Sequence, residues 1–294
     1  MKNVERLQAA LKGEDVDRIP FTADLAWWYG VNKERGSLPK DCEGMSLLDI
    51  AKDIGVIIEV YPNFYRIRTG DVERVENREA VYDERGLLKK CVSSTTFKTP
   101  IGKLMETKVQ TSSSESQYTV EHPVKNVEDM RTMRYILDHS SPEPIFDEYA
   151  VAEREYGDHG SIQMTLPRSP IQKLLIEAMG YENAFIALRT HPKEVGELML
   201  AMERLDDEIY RMAEGHPANV WEFGENIHCE ITNPRIFRSY NMPYYERRTR
   251  QLHAHGKILY LHLDGYMRTL LPLLGELGFD AIQGFAPSPQ GLSP

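Results

Sequence analysis

The chain has 294 residues, 41% of them hydrophobic, enough to bury a full core in one large α/β domain or two small ones. A formal charge of −10 and a pI near 5.5 argue against nucleic acid as a main partner, because neutralising phosphates requires clustered Lys and Arg. No apolar run of about 18 residues exists to span a membrane, the first twenty residues lack a signal-peptide core, and three scattered cysteines (Cys42, Cys91, Cys229) suit a reducing cytoplasm.

Asn3–Leu11 has helical spacing, with Asn3 as N-cap, Leu7, Ala10 and Leu11 on one face, and Gly13 past its end. Residues 21–26 read as a first strand behind Pro20, with Asp24 and the cluster Trp27-Trp28-Tyr29 at its C-terminal end. Leu47–Ile54 is a helix, and after Gly55 the run VIIEVY (56–61) is a second strand. Glu59 is the lone charge in that run, either solvated at the strand end or functional.

Residues 64–126 break the rhythm: RIRTGDVERV, LLKKCVSSTTF, KLMETKVQ and SQYTVEHPV are strand-like and separated by turn signals. They predict antiparallel hairpins inserted into an α/β body, with 112–116 as a polar loop tip. A helix over 126–137 follows, with Asn126 and Asp129 spaced as a capping box, and then another over 143–156. SIQMTL (161–166) is a third body strand, with Arg168 in the turn beyond it. Helices over 171–179 and 192–214 lead to NVWEF (219–223), a fourth strand ending in Gly224-Glu225-Asn226. Asn233-Pro234 is an N-cap and N1 pair, and 243–254 is the helix behind it.

The stretch 255–287 carries the strongest functional signal. It predicts a strand at 258–263, a helix at 268–277 stopped by Gly278, and a strand at 279–285. His262 and Asp264, two apart, point to one side of the strand at its C-terminal end, where parallel α/β folds hold their sites. Six helix-connected strands imply parallel pairing with right-handed crossovers, in either a doubly wound sheet or most of an eight-stranded barrel. No GxGxxG, Walker or HExxH pattern is present.

RLQAALKGEDVDRIP near the start, PRIFRSYNMPYYERRTRQLHAHGK, and HLDGYMRTLLPLLGELGFDAIQGFAPSPQG resemble the uroporphyrinogen decarboxylase superfamily. The middle stretch, TPIGKLMETKVQ followed by YTVEHPVKNVEDMRTMRYIL, resembles its branch of corrinoid-dependent methyltransferases, which inserts hairpins there. The resemblance covers essentially the whole chain. It implies a (β/α)8 TIM barrel in a single domain over 1–294, with the insertion at 64–126 and the site at the C-terminal strand ends. Six strands leave the last two of such a barrel unaccounted for. The expectation is therefore a truncated barrel, a fragment or one closed by another subunit, as in a homodimer.

The resemblance also frames the chemistry. The decarboxylase holds a polyanionic tetrapyrrole with an arginine-rich motif after strand one, whereas this chain reads FTADLAWWYG there. Its strand ends offer Asp24, Glu59, Glu222, Glu225 and Asp264 against Arg168 alone, a set that repels such a substrate. The methyltransferase branch binds Zn²⁺ through His-x-Cys on strand five and a later Cys; here the pair is His262-x-Asp264, with Glu222 or Glu225 as a third ligand. The alternative is a hydrogen-bonding or acid–base role for His262.

Trp27, Trp28, Tyr61 and Tyr65 would form an apolar wall for a small organic substrate, or ordinary core packing. Gln283 would orient that substrate, and His228 could reach the site. His253 and His255 face apart on their helix and are surface or capping groups. The favoured expectation is a cytoplasmic enzyme moving a methyl group between a corrinoid protein and a small thiol or folate acceptor, with His262, Asp264 and Glu225 at its centre. The alternatives are a uroporphyrinogen-type decarboxylase and a non-catalytic barrel acting through association.

Overall fold

A computed structural model describes residues 1–84, 86, 88–111 and 117–284. Its strands, in chain order, are β1 (Thr22–Ala23), β2 (Ile57–Val60), β3 (Tyr65–Thr69), β4 (Glu73–Tyr82), β5 (Leu88–Thr99), β6 (Gly102–Thr111), β7 (Gln117–Glu121), β8 (Ser140–Pro144), β9 (Gly160–Leu166), β10 (Val220–Gly224), β11 (Ile258–His262) and β12 (Ala281–Gln283). The chain forms two compact units. Among the described residues, one comprises Met1–Arg66, Pro144–Pro167 and the stretch from Tyr210 to Gly284; the other comprises those within Ile67–Glu143 and Arg168–Ile209.

The first unit is built on a six-stranded sheet in the order β1-β2-β9-β10-β11-β12, with every neighbouring pair parallel. Strand alternation explains its burial. Trp221 and Phe223 on β10, and Leu259 and Leu261 on β11, are fully buried on one face. Phe64 meets Trp221 edge-on, and Tyr245 and Phe279 do the same to Phe223. The alternate positions Val220, Ile258 and Tyr260 form a second cluster, against which Leu11 and Ala281 pack.

The sheet is curled into a half-barrel. Gln283 on β12 donates to Glu59 on β2 at 3.1 Å, although these strands are four steps apart in the sheet. In a flat sheet that separation is about 19 Å. Only strong curvature lets side chains on one face meet across it.

The second unit holds the four-stranded antiparallel sheet β4-β5-β6-β7, formed by the hairpins expected over 64–126. Beside it lies the helix Val127–Asp138, where Asn126 caps by accepting from the Asp129 amide. A Cβ at Gly102 would come within 2.7 Å of the Thr132 hydroxyl, so glycine lets β6 and this helix approach closely. The buried Asp206 pairs with Lys173.

Several sequence expectations are revised. The strand over 21–26 stops at Ala23, because a helix starts at Leu25 with Asp24 at the N-cap position; Trp27, Trp28 and Tyr29 are helical. Lys2, not Asn3, stands at the N-cap position of the first helix, and Asn3 instead accepts from Arg6. The helix over 143–156 begins at Asp147, and Ser140–Pro144 before it is β8, paired with β3. The helix over 171–179 becomes Pro170–Gln172 and then a π-helical turn, Lys173–Ala178. A helix at Tyr181–Thr190 adds to the expected set. The helix over 268–277 contracts to Leu271–Leu274, with Pro272 in its first turn. Strand 279–285 contracts to Ala281–Gln283; its end at Phe285, like the loop tip 112–116, lies outside the described residues. Among the described residues no helix is long and apolar enough to cross a membrane.

Candidate active site

The concave positions at the C-terminal strand ends follow from alternation and register. They are Glu59 on β2 with Tyr61 just beyond, Thr165 on β9, Glu222 on β10, Tyr260 and His262 on β11, and Gln283 on β12. Glu222 lies between Thr165 and Tyr260 in register, and His262 lies beside Gln283.

Hydrogen bonds join these residues. Gln283 Nε2 donates to both Glu59 oxygens, at 3.2 and 3.1 Å, and the Tyr61 hydroxyl donates to Glu59 Oε2 at 2.8 Å. His262 Nδ1 lies 2.9 Å from Gln283 Oε1 and 3.9 Å from Glu222 Oε1. The Thr165 hydroxyl donates to Glu222 Oε2 at 2.9 Å. The buried Tyr260 hydroxyl faces that of Tyr61 but meets no partner in good hydrogen-bond geometry.

Electrostatics keep both phenols protonated. Burial pushes the Tyr260 phenol far above its usual range, with the Glu222 carboxylate adding to the effect. Partial burial also raises Tyr61, partly offset by the Tyr260 hydroxyl and reinforced by Glu59 and Glu222. At neutral pH these tyrosines are donors, not bases. The cluster therefore presents two carboxylates, one imidazole and neutral donors on the concave side.

Of the residues predicted from sequence, His262, Glu59, Tyr61, Glu222 and Gln283 come together here. Asp264 does not join the connected set: it is exposed and accepts from Asn226 Nδ2 at 2.9 Å. Strand pairing ends at His262, so two-residue alternation no longer governs Asp264. Just beyond it Gly265 presses on the preceding loop, where a Cβ would fall 2.2 Å from the Ile227 carbonyl oxygen. Glu225 is fully buried after β10. Asp24 is exposed, and Trp27 is 44% exposed on its helix. Arg168 belongs to the second unit, where it pairs with Glu177 at 2.9 Å.

The His228 ring accepts from the Glu230 amide. His253 pairs with Asp280, and His255 bonds the Gln251 carbonyl. Thr165 and Tyr260 were missed from sequence. Counting back two residues from His262 along the same strand would have found Tyr260.

His262, Asp264 and Glu225 are not gathered into one ligand group among the described residues. Among the described residues, no group of three or more His, Cys, Asp or Glu side chains could hold a metal ion. Glu222 Oε1 lies 3.9 Å from His262 Nδ1, while Asp264 is bonded to Asn226. What the arrangement offers is proton transfer and hydrogen bonding to a bound molecule.

The fold and the cluster define a parallel α/β protein with a polar site at the C-terminal strand ends. No protein-family model matches the chain, and no curated protein matches it.

Proposed function

We propose that the protein is an enzyme of the methyltransferase-like branch of the uroporphyrinogen decarboxylase superfamily. It moves a methyl group from a corrinoid protein to a small thiol or folate acceptor. The observation that carries this reading is the position of His262. It sits at the C-terminal end of a strand in a curled parallel sheet, hydrogen-bonded to Gln283 and backed by Glu59 and Glu222. The sequence resemblance supplies the reaction class.

In this mechanism His262 acts as a general base. The acceptor's S–H or N–H proton passes to the imidazole as the methyl group leaves its carrier for the acceptor's sulfur or nitrogen. The neutral Tyr61 hydroxyl donates to Glu59 and holds that carboxylate in place beside Gln283. The two inward carboxylates disfavour a tetrapyrrole polyanion, so decarboxylation of uroporphyrinogen finds no support in the site.

The test is methyl transfer from methylcobalamin, free or carried on a corrinoid protein, to thiol and folate acceptors, followed by the cobalamin absorbance change. Turnover by the wild type and a loss of at least about 100-fold in His262→Ala are expected. Conversion of uroporphyrinogen to coproporphyrinogen, without methyl transfer, would overturn the proposal.

A further inference from the structure

We infer that Glu59, acting through the Gln283 side chain, locks the His262 imidazole as its Nδ1–H tautomer and leaves the Nε2 lone pair as the reactive atom. Glu59 is the one group in this chain of bonds whose polarity is fixed. An ionised carboxylate only accepts, so both Glu59 oxygens must be met by donors. The Tyr61 hydroxyl is one donor, and the Gln283 amide NH2 is the other. With its NH2 turned to Glu59, the Gln283 amide must turn its Oε1 to His262, where it lies 2.9 Å from Nδ1. An amide oxygen cannot donate, so Nδ1 carries the proton and donates to it. The opposite amide orientation would set Gln283 Oε1 against the Glu59 carboxylate, two acceptors facing each other at hydrogen-bond distance.

The backbone reinforces this arrangement. Gly284 follows Gln283 with φ +87°, and a Cβ there would lie 3.2 Å from His262 Cε1 and 2.9 Å from the Leu263 carbonyl oxygen. The strand end is thus shaped to let the imidazole ring lie flush beside it. No protein group bonds Nε2 among the described residues. Gln283 and Glu59 are positioning residues, and Nε2 is where a substrate proton would be taken. The catalytic meaning of this tautomer rests on the reading of the strand ends as an active site; the tautomer itself does not.

The experiment is two-bond ¹H–¹⁵N correlation NMR on histidine-labelled protein, at a pH where the imidazole is neutral. In the wild type, His262 Nδ1 is expected at a pyrrole-like shift and Nε2 at a pyridine-like shift. Gln283→Leu is expected to return the ring to the Nε2–H form that free histidine prefers. Glu59→Gln frees the amide to turn over and should give both forms. A wild-type ring in the Nε2–H form overturns the proposal, and so does a tautomer unmoved in folded Gln283→Leu and Glu59→Gln proteins. The wild-type spectrum alone is decisive if a variant fails to fold. Absence of methyl transfer alongside the expected tautomer would count against the functional reading only.

Discussion

Tyr260 carries a residue-scale consequence, because its buried hydroxyl meets no partner in good geometry beside Glu222 and Glu59. A buried donor in that state contributes nothing to folding and can cost on the order of 1 kcal/mol. Tyr260→Phe should leave the free energy of urea unfolding unchanged or raise it by about 1 kcal/mol. A loss of more than that would show the hydroxyl to be bonded. The residues that stand out in the sequence and lie together in the fold are those that interrupt apolar strands: Glu59, Glu222, His262 and Gln283 each fall in a run that otherwise wants burial. Asp264 lies apart from them because strand pairing, and with it alternation, ends at His262, and nothing in the composition of HLDG marks that point.

At the scale of elements, strands dense in β-branched and apolar residues were legible, and their ends were not. The first strand ends at Ala23 and a helix starts at Leu25, with Asp24 at its N-cap position but making no side-chain cap, so the capping signal in the sequence does not account for the switch. The leucines at 270–277 have helical spacing, but Pro272 sits comfortably only in a first turn, and the helix shrinks to Leu271–Leu274. β8, with the sequence SSPEP, has no intrinsic strand preference and exists through its pairing with β3. The Asn126 cap, by contrast, was legible and has a measurable value. Asn126→Ala should cost about 1 kcal/mol of stability, read as an earlier midpoint in urea unfolding, while Asn126→Asp should keep most of it.

At the scale of the whole molecule, the buried His216 is expected to make stability depend on pH in the acid range. Its ring is buried among Phe64, Phe146, Tyr149 and Trp221, and its Nδ1 accepts from the Ala218 amide. Lys257 Nζ bonds the His216 and Ala218 carbonyls close by. Burial, reinforced by the Lys257 charge, lowers the imidazole from 6.5 to about 4. The folded state therefore keeps His216 neutral while the unfolded chain takes up a proton at its ordinary value. Stability from this group is intact well above pH 6.5, declines as pH falls toward about 4, and levels off below that, a loss on the order of 3 kcal/mol. His216→Phe should flatten the pH dependence of unfolding free energy across that window. An unchanged slope would place the acid sensitivity elsewhere.

The pairing of β2 with β9 also sets a timetable. Ile58 meets Gly160, and the chain between them contains all of β4 to β7. Closing so long a loop is entropically costly while it is unstructured, and each added length of disordered chain slows the encounter. The antiparallel meander is made of local contacts, which form without waiting for distant partners. Once formed, it shortens the effective tether between β2 and β9. The half-barrel should therefore assemble last, with amides of β5 and β6 protected earlier than those of β2 and β9 in pulse-labelled hydrogen exchange during refolding. On this timetable His262 and Glu59, carried on β11 and β2, meet Gln283 only in the final step, so the site is absent from any intermediate that holds the meander alone.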